Sequence, residues 1–256
     1  VSPWIRVLAS AVSGHLGQLS QETHFLLVAL SQMRGTVVRL FLHEVLSTVL
    51  LSHIPRLLVV GGGPIGCELA QAFSHLGSKV TQVDMAARIM PREDEDVSAA
   101  VSARFLEHGI DLLTGHKLLK FETVDGEHFM EAEHEGSTVR IAFDKVLLAI
   151  GRKANTEDFG LEEIGVALTP QGTIEVNEYL QTSLPNIFAC GDVAGPYQFT
   201  HMASYQAWFA ALNSIAGGLW RSRVNYAAVP WATFTDPEVA RVGLSEEEAK
   251  QRGIAY

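Results

Sequence analysis

The sequence predicts an α/β protein built on a doubly wound parallel sheet. Three observations predict it. Short β-branched and leucine-rich runs alternate with helical stretches over residues 55–151. A Gly-x-Gly-x-x-Gly pattern sits between the first such run and the first helix. An aspartate closes the second run, where a dinucleotide-binding unit places its acid.

The elements follow in order. Arg56–Val60 is a continuous apolar run between Pro55 and glycines, which marks a buried parallel strand. Residues 64–76 are helical, with Ile65, Leu69, Phe73 and Leu76 on the expected buried face and Gly77 as the stop. Residues 79–84 form a second strand. Asp94, Glu95 and Asp96 crowd a helix start, where the dipole favours acids; Val97, Val101 and Phe105 mark its buried side and Gly109 ends it. Strand-like runs follow at 117–122, 127–134 and 138–143, and 146–150 closes the unit as another buried strand. Short crossovers of this kind are right-handed, which makes the sheet parallel.

Composition narrows the functions. The chain has 256 residues, 47% of them hydrophobic, enough for one large domain or two ordinary ones. Its formal net charge of −10 argues against nucleic acid as a partner. The most apolar stretch, 36–54, is broken by Arg39, His43, Glu44 and His53, so no membrane span is expected. No secretory signal is expected either. Cys67 and Cys190 are far apart and form neither a disulfide framework nor a CxxC site, which points to a reducing, cytoplasmic setting. Both are read as small apolar fillers. The histidines show no metal-ligand spacing, and neither a G-x-S-x-G elbow nor a P-loop is present. No metal site is expected. The run 92–96 reads as a solvated helix start.

The chemistry centres on Gly61-Gly62-Gly63-Pro64-Ile65-Gly66. Gly61 permits the turn off the strand, Gly63 lets backbone approach a pyrophosphate, and Gly66 lets the helix pack close to the sheet. The N–H groups of the following helix, with its positive dipole end, would face the phosphates. Asp84 would accept hydrogen bonds from both ribose hydroxyls and repel a 2′-phosphate, so NAD is expected in preference to NADP. Arg88 is the only cation nearby. The plain alternative is a glycine-rich turn with a surface aspartate. Strand, loop, helix and acid together instead define a Rossmann-like nicotinamide-dinucleotide unit.

At this point the sequence resembles the class I pyridine nucleotide–disulfide oxidoreductases, the group that includes dihydrolipoamide dehydrogenase, glutathione reductase and mercuric reductase. PRLLVVGGGPIGCELAQAFSHLGSKVTQVD resembles the family's NAD(P) domain, and VLLAIGRKANTEDFGLEEIGV its closing strand and glycine. TSLPNIFACGDVAGPYQFTHMASYQA resembles its second flavin-contact motif, and VPWATFTDPEVARVGLSEEEAKQRG the opening of its dimerisation domain. The resemblance implies an unassigned apolar segment at 1–54, an NAD(P) domain at 55–151, the rear part of an FAD domain at 152–222, and the start of a dimerisation domain at 223–256. It implies FAD as a second cofactor, with Asp192 on the ribityl chain and Phe199, Thr200 and His201 beside the flavin. It places Glu68 and Gly151 near the nicotinamide. It also implies a homodimer and a small-molecule electron acceptor.

The same family has features that residues 1–256 do not show. No FAD-type glycine loop occurs in 1–54, no Cys-x4-Cys is present, and the acid–base His–Glu dyad has no counterpart before Tyr256. The expectation is a family member short at both ends, holding FAD weakly and not reducing disulfides by itself; no residue is assigned a catalytic role. Two other readings are a non-catalytic NAD-binding remnant and a flavoprotein NADH dehydrogenase that delivers electrons to a quinone or protein. The motif 187–190 is expected to be a short buried strand ahead of Asp192.

Overall fold

The computed structural model describes residues 54–216 and 219–256. The expectations for 1–54 fall, apart from Ile54, outside them. The chain divides into two units, Val1–Pro91 with Ala100–Ala149, and Arg92–Ala99 with Ile150–Tyr256.

In the first unit, β1 (Arg56–Val60), β2 (Lys79–Val83), β3 (Asp111–Leu113) and β7 (Lys145–Leu148) form a parallel sheet in the order β3-β2-β1-β7. Helix α1 (Pro64–His75) joins β1 to β2 and packs on both. Between β3 and β7 runs an antiparallel meander of β4 (Lys117–Val124), β5 (Glu127–His134) and β6 (Ser137–Phe143). Leu58, Val60 and Val83 of the parallel sheet meet Met130, Ala132 and Phe143 of the meander. Every residue from Leu57 to Val60 is therefore buried, because both faces of β1 are covered. Burying each such side chain contributes about 1.5–3 kcal/mol. Arg56 clamps this unit: its backbone and guanidinium donate to Asp144, and its Nη1 donates to Glu127.

Two expectations are corrected here. The buried residues of α1 are Gly66, Cys67, Ala70 and Gln71, while Ile65 is 42% exposed and Leu69, Phe73 and Leu76 are half-buried. The helix approaches the sheet so closely that only small residues fit at the contact; the larger apolar ones flank it. The closing strand ends at Leu148 and is not buried: Leu148 is 56% exposed, since β7 is an edge strand hydrogen-bonded only to β1 among the described residues. Strand β3 went unread because three residues carry too little pattern. Helix α2 (Glu95–Glu107) is divided between the units, with Val101 and Phe105 fully buried in the first as expected.

The second unit has a small core of Val166, Ile174, Ala189 and Ala194. Residues 187–190 are not a strand. They make one isolated antiparallel bridge, Gln181 to Phe188, because no parallel partner lies beside them among the described residues. A 3-10 turn, Gly191–Val193, follows and leads to α3 (Thr200–Ala216), which buries Met202, Gln206, Ala210 and Asn213. A hairpin of β8 (Pro230–Thr233) and β9 (Val239–Val242) precedes α4 (Glu246–Gln251). Ser245 caps α4 reciprocally with Glu248.

Within the run 92–96, Arg92, Glu95 and Asp96 are exposed at the helix start as expected, and Glu93 alone is corrected. Glu93 is only 6% exposed; it accepts the Trp231 indole N–H at 3.0 Å and lies 3.7 Å from Arg241, whose guanidinium stacks over Trp231. A residue read as solvated instead closes a buried polar cluster.

Candidate functional site

The first unit holds Gly61, Gly63, Pro64, Ile65, Gly66, Glu68 and Asp84. Two of the three fingerprint glycines are demanded by packing. Gly61 has φ +118°, and a Cβ there would lie 2.3 Å from Ala149 O. A Cβ on Gly66 would lie 2.1 Å from Gly61 O. Gly63 differs: no atom of the described residues lies within 4 Å of a Cβ built on it, and its φ of −74° suits any residue. The protein leaves this glycine open space.

The loop is braced upstream and bare downstream. Gly61 N–H donates to Val83 O, and Met90 N–H donates to Gly62 O. Gly62 N–H donates to Asp84 Oδ2, and Ala86 N–H to Asp84 Oδ1. Helix α1 begins after Gly63 with Pro64 in its first turn and no side-chain cap. The N–H groups of Gly63, Ile65 and Gly66 therefore have no acceptor within the helix. They form an anion-binding end with the dipole behind them. Glu68 is half-buried one turn on.

Asp84 thus does more than the sequence suggested, since both its oxygens anchor backbone. Each carboxylate oxygen keeps a further lone pair for a hydroxyl donor. Sequence reading also missed Gln82 and the role of Cys67. Gln82 Nε2 donates to Gly61 O at 2.9 Å, and the Cys67 thiol donates to Gly62 O at 3.4 Å. Burial pushes the Cys67 thiol up to about 12, so it is not a nucleophile. A glutamine between Thr81 and the buried Val83 was the available signal.

The second unit holds Gly151, Asp192, Phe199, Thr200 and His201. Gly151 has φ +122° and open surroundings. Asp192 is half-exposed in the 3-10 turn, 3.3 Å from Arg152 Nη1. The turn is held by Gln206, fully buried in α3, whose Oε1 accepts Gly191 N–H at 2.6 Å and whose Nε2 donates to Gly195 O at 2.7 Å. Thr200 opens α3. His201 is exposed, stacks on Phe199 and bonds Pro230 O at 2.7 Å. Among the described residues no cluster of three or more His, Cys, Asp or Glu could hold a metal, and no helix is long and apolar enough to cross a membrane.

Residues 31–207 match the family model described as pyridine nucleotide-disulphide oxidoreductase, and residues 229–256 match that family's dimerisation domain. The chain is 38% identical over 212 residues to a dihydrolipoyl dehydrogenase of Chlamydia muridarum, covering 80% of this chain and 43% of that protein. It is 38% identical over 208 residues to a mercuric reductase of Staphylococcus aureus, covering 81% of this chain and 38% of that protein. Among solved structures, the HOCl-induced flavoprotein disulfide reductase RclA of Escherichia coli, in its Cu(II) complex, superposes with a TM-score of 0.71 at 31% identity, over 81% of this chain and 46% of that one. The chain spans less than half the length of each.

Proposed function

Because the chain belongs to the pyridine nucleotide-disulphide oxidoreductase family, we propose that it binds a nicotinamide dinucleotide at the 61–66 loop and takes part in hydride exchange between NAD(P)H and FAD. The observation that carries this reading is Gly63. Its neighbours are rigidly braced, yet space is kept open at an uncapped helix start. That cradle fits a pyrophosphate, and a side chain there would fill it.

Asp84 orients the adenosine ribose and disfavours a 2′-phosphate, so NADH is preferred over NADPH. Asp192, on the turn braced by Gln206, would hold the ribityl side of FAD, with Phe199, Thr200 and His201 beside it. When bound, the flavin supplies the hydride acceptor and the route to a small-molecule electron acceptor. Gly151 and Glu68 belong to the nicotinamide side in this reading. Disulfide exchange is not assigned to these residues: Cys67 is buried with a raised thiol pKa, and no second cysteine stands at the family's spacing. The same observation favours, as a second reading, a flavoprotein NADH dehydrogenase that works without a disulfide. Homodimer formation and a cytoplasmic location complete the proposal.

Titration of the chain with NADH and NADPH, followed by its absorbance spectrum with added FAD, tests it. Tighter binding of NADH and a weakly retained flavin band are expected. Equal or tighter NADPH binding would overturn the role of Asp84.

A further inference from the structure

Where β1 turns into α1, the carbonyls of Gly61 and Gly62 leave the sheet ladder and need other donors. Gln82 supplies one for Gly61 O, and the Cys67 thiol joins the Met90 N–H on Gly62 O. Gln82 Nε2 donates to Gly61 O at 2.9 Å and lies 3.5 Å from Cys67 Sγ. The Cys67 S–H donates onward to Gly62 O at 3.4 Å. The amide orientation is forced, because Gly61 O can only accept. Both side chains are buried, at 1% and 0% exposure, and Gln82 Oε1 has no hydrogen-bond partner among the described residues. A buried amide with an unpaired oxygen costs stability. It is a poor choice for holding a strand and a good one for holding a loop.

We infer that Gln82 is a positioning residue for the dinucleotide's pyrophosphate, acting through Cys67 and the carbonyls of Gly61 and Gly62. The inference rests on the reading of the loop as the dinucleotide site. Peptide units are planar, so fixing a carbonyl fixes the next N–H. Gln82 holds the plane whose N–H is that of Gly62, the group given to Asp84. Cys67, together with the Met90 N–H, holds the plane whose N–H is that of Gly63, the first donor aimed at the phosphates. The thiol keeps its proton at neutral pH, because burial pushes it up to about 12, and so it stays a donor.

The test uses the full chain, comparing Gln82→Met with the unsubstituted protein. Methionine keeps the volume and removes the donors. NADH binding is expected to weaken about five- to tenfold, the worth of roughly one hydrogen bond. Adenosine, which has no phosphate, is expected to bind unchanged even where the melting temperature falls because Gly61 O loses its donor. Gln82→Leu gives the same comparison if methionine does not fold. An NADH affinity within twofold of the unsubstituted chain overturns the inference alone. Equal weakening of both ligands with a lower melting temperature also overturns it, since Gln82 would then be merely structural. Failure of the unsubstituted chain to bind NADH overturns the loop reading and this inference with it.

Discussion

Gly62 and Asp84 share a short hydrogen bond, the Gly62 N–H donating to Asp84 Oδ2 at 2.5 Å. The acid that closes β2 is thereby tied to the loop that follows β1. Loop geometry depends on this carboxylate, whose other oxygen accepts the Ala86 N–H, and in the proposed reading the ribose would use it too.

Asp84→Asn separates these effects from simple charge loss. The asparagine oxygen can accept one backbone N–H, but its NH2 end faces the other. NADH affinity is expected to fall by about 2 kcal/mol, and the preference over NADPH to narrow as the repulsive charge disappears. Calorimetric titration with both cofactors checks this. Unchanged discrimination would mean that Asp84 does not face the ribose.

Gly66 and Gly63 should respond in opposite ways to alanine. Gly66→Ala forces a Cβ to within 2.1 Å of Gly61 O. Backbone must shift, at a cost of about 1–3 kcal/mol or more. Gly63→Ala meets open space and is expected to leave the melting temperature unchanged. Thermal unfolding of both variants decides it; equal stabilities would contradict the packing described for the loop.

Glu93 gives a sharp contrast between sequence and structure. A solvated helix-start acid could be replaced at a cost within about 0.5 kcal/mol. Here Glu93→Ala removes the acceptor of Trp231 Nε1 and leaves the largely buried Arg241 without this carboxylate. Breaking a buried pair in this way costs about 3–5 kcal/mol. Denaturant unfolding of the variant measures it, and a loss under about 1 kcal/mol would restore the solvated reading.

The Arg56–Asp144 clamp predicts a pH dependence. Hydrogen bonds from the Arg56 guanidinium hold the Asp144 carboxyl below its ordinary value, against a smaller opposing effect of burial. A depressed folded pKa means the stabilisation is full above the unfolded value, near about 3.9, and is lost as pH falls through the folded one. Asp144→Asn is therefore expected to be less stable than the unsubstituted chain at pH 7 and to converge with it as the pH falls through the lowered folded-state pKa of Asp144. Urea midpoints across that range follow the convergence. A constant gap down to the lowest pH would place the effect elsewhere.

What was legible in the sequence is what repeats or is fixed by backbone. The 61–66 loop, α1, β1, β2 and the three meander strands carry period or glycine signatures. What was not legible depends on neighbours distant in the chain. The inner face of α1 follows from how closely Gly66 lets it approach Gly61, which reverses the rule that the largest apolar residues go inside. Residues 187–190 have strand composition, but a ladder needs a partner that composition does not show. Glu93 is buried by Trp231 and Arg241, far along the chain. Gln82 and Gln206 were passed over because a glutamine in an apolar run looks like noise until its carbonyl partners are seen.

The central claim is that the open space at Gly63 is a dinucleotide's phosphate site, and Gly63→Val tests it most directly. No atom of the described residues lies within 4 Å of a Cβ at this position, so the fold is expected to survive. The branched side chain would occupy the room the pyrophosphate needs. The measurement is NADH titration of the unsubstituted chain and of Gly63→Val, with circular dichroism and melting temperature showing both to be folded. Saturable binding that vanishes in the folded variant is the predicted result. Unaltered NADH affinity in a folded Gly63→Val chain would contradict the account.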